Sequence, residues 1–154
     1  MTSAHVPEPP TIDPRAPLAR RARRRHLVIA DDSAEMRRLI RGAIGRQFDD
    51  VIEVADGRAL FWAILRASVT AHDKAAPELV LITDVAMPAY DGLEVIDAWH
   101  DVEQDIPTIV ITAFPSETVR ARAQALGVFL LAKPFSIAQL RQVVHDRFDV
   151  ARDP

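Results

Sequence analysis

The sequence predicts an open parallel α/β sheet with helices on both faces. Three observations carry this. Five short apolar runs recur along the chain, segments with helical spacing of apolar residues lie between them, and each run is closed by acidic, glycine or proline-containing stretches.

Leu27-Val28-Ile29-Ala30 is continuous apolar sequence stopped by Asp31-Asp32-Ser33, the pattern of a strand buried on both faces. Residues 35–46 then place Met36, Leu39, Ile40, Ala43 and Ile44 on one helical face and Arg37, Arg38 and Arg41 on another. Val51–Ala55 reads as a second strand, ended by Asp56-Gly57, and residues 58–68 as a helix with Leu60, Phe61, Ile64 and Leu65 apolar. Leu79–Thr83 is the third strand, Leu93–His100 a helix and Thr108–Thr112 the fourth strand. Ser116–Leu126 is a helix closed by Gly127, a residue suited to the left-handed position after a helix end. Val128–Ala132 is the fifth strand and Ile137–Phe148 the last helix, whose start carries Ser136 and Gln139 at capping-box spacing.

The 154 residues include no cysteine, which excludes disulfides and thiolate metal sites, and 49% of them are hydrophobic, enough for one core. The longest apolar runs are too short to span a membrane, and residues 1–25 lack the apolar stretch of a secretory signal, so a cytoplasmic protein is expected. Residues 1–25 hold five of the eleven prolines and six arginines against Glu8 and Asp13. This stretch is expected to be a disordered Pro/Arg-rich arm, with one domain over 26–150 and no output domain after it. The rest of the chain carries the acidic excess behind the net charge of −3, which does not resemble a nucleic-acid-binding fold.

In an open α/β sheet, ligands bind beyond the carboxyl ends of the strands. Asp31 and Asp32 follow the first strand, Asp84 the third, Thr112 ends the fourth, and Lys133-Pro134 follows the fifth. Each has a bland reading: Asp32-Ser33 as a helix cap, Asp84 as a turn residue, Thr112 as a β-branched strand end, Lys133 as a solvated cation. Together at one edge they make a chemical set. Crowded carboxylates need a compensating cation, and a hard divalent ion such as Mg²⁺ takes one or two of them with phosphate oxygens. Lys133 offers a compact positive charge and Thr112 a hydroxyl to a phosphoryl group, and an ionised Asp84 is a nucleophile for phosphorus.

The stretches Leu27–Ser33, Leu79–Gly92 (with Thr83-Asp84-Val85-Ala86-Met87-Pro88), Ile106–Ala113 and Ala132-Lys133-Pro134-Phe135 resemble the receiver domains of two-component response regulators over about residues 26–148. The resemblance implies a flavodoxin-like (βα)5 fold, a doubly wound five-stranded parallel sheet in the order 2-1-3-4-5. It implies that Asp84 accepts a phosphoryl group and that Mg²⁺ is held by Asp32, Asp84 and the Ala86 backbone carbonyl, with Asp31 acting largely through a metal-bound water. Thr112 and Lys133 would bind phosphoryl oxygens, and Lys133–Pro134 would be a cis peptide. The donor would be a sensor histidine kinase or a histidine phosphotransfer protein, the readout a downstream protein or a phosphorylation-dependent dimer, and the chain an acceptor rather than a turnover enzyme.

Three departures stand out. The position three residues before the lysine, aromatic in most of the family, is Leu130, and strand alternation sends Phe129 to the opposite face unless a bulge intervenes. The second helix and following loop are long over 67–77, with His72, Asp73 and Lys74 in the excess, and no neighbouring ligand supports His72 as a metal site. Ala86 and Phe114 stand where the family tunes acyl-phosphate lifetime; neither polarises water and Phe114 is placed to shield, so slow self-hydrolysis is expected. Two other functions compete. A haloacid-dehalogenase-type phosphatase needs a second Asp two residues after the nucleophile, where this chain has Ala86. A phosphorylation-independent interaction module fits Leu130 but leaves the five polar residues without a role.

Overall fold

The computed structural model describes residues 24–70, 77–100 and 106–148. Most of the stretch read as an arm, and His72, Asp73 and Lys74, lie outside the described residues. Five strands, β1 (Arg25–Ala30), β2 (Asp50–Val54), β3 (Glu78–Asp84), β4 (Thr108–Thr112) and β5 (Phe129–Ala132), form one sheet in the order β2-β1-β3-β4-β5. Every pairing is parallel. The connections are α1 (Ala34–Ile44), α2 (Gly57–Thr70), α3 (Gly92–His100) and α4 (Glu117–Ala125), with α5 (Ile137–Phe148) following β5. This is the flavodoxin-like (βα)5 arrangement expected from the sequence.

The continuous apolar strands are explained by two cores, one on each face. Leu27 and Ile29 of β1 pack with Ile40 and Ile44 of α1 and with Leu140 and Val144 of α5. Val28 and Ala30, pointing the other way, pack with Leu60 and Ile64 of α2 and with Leu93 and Ile96 of α3. Alternate side chains of one strand thus enter different cores, so no polar alternation survives in the sequence.

Local signals set most of the boundaries. Ser33 Oγ accepts from the Met36 amide and caps α1. The capping box at α5 forms in both directions, the Gln139 amide donating to Ser136 Oγ and the Ser136 amide to Gln139 Oε1. Gly127 has φ 66° directly after the α4 cap residue Leu126, the left-handed turn its type foreshadows.

Some elements differ from expectation. The first helix ends at Ile44 rather than 46, because Gly45–Gln47 tightens into a 3₁₀ turn that carries Phe48 into the core, edge-on to Phe148 at 6.4 Å. β2 sits one residue earlier than read, and α2 runs to Thr70. β1 begins at Arg25, inside the stretch read as arm. Its amide donates to Asp49 and its Nε to Glu78 at 3.0 Å, so this arginine is tied to the amino-terminal edge of the sheet.

Candidate functional site

The strand order reverses direction at β1 and β3, the switch point at whose carboxyl edge a doubly wound sheet leaves a crevice. Asp31 follows β1 and is buried, Asp32 beside it is exposed, and Asp84, the last residue of β3, is buried. One carboxylate oxygen from each of Asp31, Asp32 and Asp84 lies within 4.8 Å of the others. Lys133, just past β5, reaches across: its Nζ donates to Asp31 Oδ2 and to Asp84 Oδ2, both at 2.9 Å. Residues far apart in the chain therefore meet because three strands, β1, β3 and β5, deliver their ends to one edge.

The backbone holds these groups in place. The Ser33 amide donates to Asp31 Oδ1 at 2.8 Å, and the Ala86 amide to Asp84 Oδ1 at 3.3 Å. The Lys133 amide donates to the Thr112 carbonyl at 2.8 Å, which docks the β5 end onto β4, and the Lys133–Pro134 peptide is cis. Thr112 is buried at the end of β4, and its Oγ1 accepts from the Phe114 amide at 3.1 Å. Ala86 contributes its amide to the cluster. Phe114, read as a shield, has its side chain 80% exposed, because the Thr112–Phe114 turn directs it to solvent.

The electrostatics follow from burial. Desolvation pushes the Asp84 carboxyl above its usual value; Lys133 and the Ala86 amide pull it down, the Asp31 charge pushes it further up, and the net is a rise. For Lys133 burial works against the ammonium, but Asp84 and Asp31 outweigh it and hold the group above its ordinary value. The Asp84 carboxylate thus works against the fold at neutral pH. Its folded pKa exceeds the unfolded one, so above both the ionised carboxylate costs stability, and the cost is relieved as pH falls through the raised value. Asp84→Asn is accordingly expected to raise the unfolding midpoint at neutral pH in chelator-treated buffer. A lower midpoint for the variant in urea titrations would contradict this.

Several contacts around the site escape a reading of the sequence. Arg37 lies on the helical face opposite the apolar one, yet its Nη1 donates to the Asp31 carbonyl at 2.6 Å and its Nε lies 3.5 Å from Glu53. Glu53 on β2 also pairs with Arg41, so both arginines link α1 to the edge strand. Asp91 accepts a two-pronged pair of bonds from Arg122 at 3.0 and 3.2 Å, tying the loop after Asp84 to α4. Gly92 leaves no room for a Cβ, which would strike the Asp84 backbone carbonyl and lie 2.7 Å from Thr83 Oγ1. Only the Asp-Gly pair after the Pro88 turn hinted at these last contacts.

The β4–β5 register runs without a bulge, Val110 opposite Leu130 and Ile109 opposite Phe129. Leu130 packs with the α2–α3–α4 core, while Phe129 packs with the α1–α5 core and carries Arg147 over its ring at 4.5 Å. Strand alternation is therefore strict, and no aromatic of β5 lies on the Leu130 face.

The donor set suits a hard divalent cation: three carboxylates converge within 4.8 Å, one of them open to solvent. Among the described residues no helix is long and apolar enough to cross a membrane.

Comparison with known proteins agrees with this geometry. A chemotaxis protein CheY homolog of Campylobacter jejuni is 32% identical over 124 residues, covering 78% of this chain and 89% of that protein. The REC domain of AraT, a response regulator from Geobacillus stearothermophilus, superposes with TM-score 0.66 at 29% identity, covering 80% of this chain and 92% of that one. The chain spans less than half of some longer relatives: the probable transcriptional regulator ycf27 of Galdieria sulphuraria is 32% identical over 77% of this chain but only 43% of that protein. The family model of the response regulator receiver domain matches residues 27–145, which sets aside a haloacid-dehalogenase reading. With fold, crevice and family model in agreement, this chain belongs to the response regulator receiver domain family.

Proposed function

We propose that Asp84 accepts a phosphoryl group from the phosphohistidine of a sensor histidine kinase or a histidine phosphotransfer protein. The observation that carries this reading is the Lys133 ammonium lying 2.9 Å from both Asp31 and Asp84 at the carboxyl edge of the sheet. In the transfer an Asp84 oxygen attacks phosphorus, the P–N bond of the donor breaks, and the donor imidazole leaves with the electron pair. Lys133 moves its charge onto a phosphoryl oxygen, and the Thr112 hydroxyl donates to another. The Ala86 amide, already bonded to Asp84, keeps the nucleophile oriented.

Asp32, Asp84 and the Ala86 backbone carbonyl would hold Mg²⁺, with Asp31 acting through water. When bound, that ion neutralises the charge gathering on the phosphoryl oxygens. Phosphorylation would then bias a two-state surface read by a downstream protein or a second copy of the chain, in the cytoplasm. The chain takes part in its own phosphorylation and dephosphorylation without being a turnover enzyme.

With Mg²⁺ and acetyl phosphate, intact-mass spectrometry is expected to show one phosphoryl adduct, lost on adding chelator beforehand. An adduct unaffected by chelator would overturn the metal assignment. Once formed, the adduct is expected to persist for minutes or longer with Mg²⁺ present, because the Ala86 side chain has no group to polarise an attacking water. Decay within seconds would show that another group does so.

A further inference from the structure

Arg37 lies near the start of α1, and its side chain is only 16% exposed. Its Nη1 donates to the Asp31 backbone carbonyl at 2.6 Å, a charge-assisted bond. Its Nε is buried without a hydrogen bond and faces its counter-charge, Glu53 Oε2 on β2, at 3.5 Å. Glu53 is held in turn by Arg41 at 3.1 Å. The guanidinium fork is thus fixed between the end of β1 and the neighbouring edge strand.

The Asp31 carbonyl belongs to the planar peptide that joins Asp31 to Asp32. Arg37 therefore fixes one of the two peptides that flank Asp32. The other is fixed by the Ser33 amide, which donates to Asp31 Oδ1 at 2.8 Å. Behind them the Asp31 amide donates to the Val54 carbonyl at 3.2 Å. Asp32 is exposed, so its flanking peptides, rather than packing, set where its carboxylate points. One of its oxygens lies within 4.8 Å of an oxygen from each of Asp31 and Asp84.

We infer that Arg37 is a positioning residue for the divalent cation: by holding the Asp31–Asp32 peptide it aims the Asp32 carboxylate at the site. The inference rests on the assignment of Mg²⁺ to Asp32 and Asp84. Arg37 bonds a backbone oxygen and no carboxylate of the cluster, so it takes no ligand atom from the ion. Its charge and its geometry predict opposite signs. Removing a cation from beside three carboxylates would, by charge alone, tighten Mg²⁺ binding. Releasing the peptide would weaken it, because losing a group that orients a ligand costs about 10–100-fold in metal affinity.

The full chain in chelator-treated buffer is titrated with MgCl₂ and followed in ¹H–¹⁵N spectra at the Asp32, Ser33 and Ala86 amides. Arg37→Met, which keeps the apolar stem, is expected to raise the Mg²⁺ dissociation constant about tenfold. Arg38→Met removes the same charge from the next, exposed position and is expected to leave the constant within about twofold. Where Arg37→Met does not fold, Arg37→Gln gives the same test with a polar side chain in its place. Unchanged or tighter binding in the folded Arg37 variant, or an equal loss in Arg38→Met, would overturn the proposal. A purely structural Arg37 would lower the urea midpoint and leave the dissociation constant unmoved. A wild type with no saturable Mg²⁺ shift would overturn the metal assignment, and this inference with it.

Discussion

Lys133→Met is expected to slow adduct formation from a small phosphodonor by about 10²–10³-fold, the usual cost of removing one preorganised group that meets developing charge. The ammonium already touches Asp84, the proposed nucleophile, and no other cation is bonded to Asp84 among the described residues. The same change is expected to lower stability by about 2 kcal/mol at neutral pH, since Asp31 and Asp84 lose their shared counter-charge while remaining buried. That loss is expected to shrink in acid, because Asp84 already takes up a proton more readily than an ordinary carboxyl. Adduct formed at the wild-type rate would remove Lys133 from the chemistry.

Gly92→Ala is expected to be the more damaging substitution for the fold, costing about 3 kcal/mol or more. The added Cβ would meet the backbone carbonyl of Asp84 and the Thr83 hydroxyl, and neither is the free end of a flexible chain. The Gly92 amide donates to the Val85 carbonyl at 3.0 Å, so the helix start cannot retreat without breaking the loop that follows β3. Because the clash falls on Asp84 itself, any folded fraction is expected to accept phosphoryl groups poorly. Urea unfolding of the variant measures the first effect, and a midpoint within error of the wild type would contradict it.

What could be read from sequence depended on range. The strands were legible because β1, β3 and β4 are buried on both faces and therefore apolar without interruption, as Leu27–Ala30 shows. The caps at Ser33 and Ser136 and the turn at Gly127 were legible because they are local chemistry. The site residues were legible as types placed just after strands, and the parallel sheet brought Asp31, Asp32, Asp84 and Lys133 together as that placement required. What escaped was long-range pairing between charged surfaces. Arg37 and Arg41 look like an exposed helical stripe until Glu53 is set opposite them on β2, and Arg122 looks solvated until Asp91 meets it. The break at Gly45 escaped as well, since the apolar spacing of α1 carries past it and only the distant Phe148 explains why Phe48 turns inward.

Phosphorylation of Asp84 is tested most directly by finding where the phosphoryl group sits. The protein incubated with Mg²⁺ and acetyl phosphate is reduced with borohydride, which converts an aspartyl phosphate to homoserine, then digested and mapped by tandem mass spectrometry. Conversion is expected at position 84 alone, with none in Asp84→Asn. Conversion at Asp31 or Asp32, or none anywhere while an adduct is present, would contradict it.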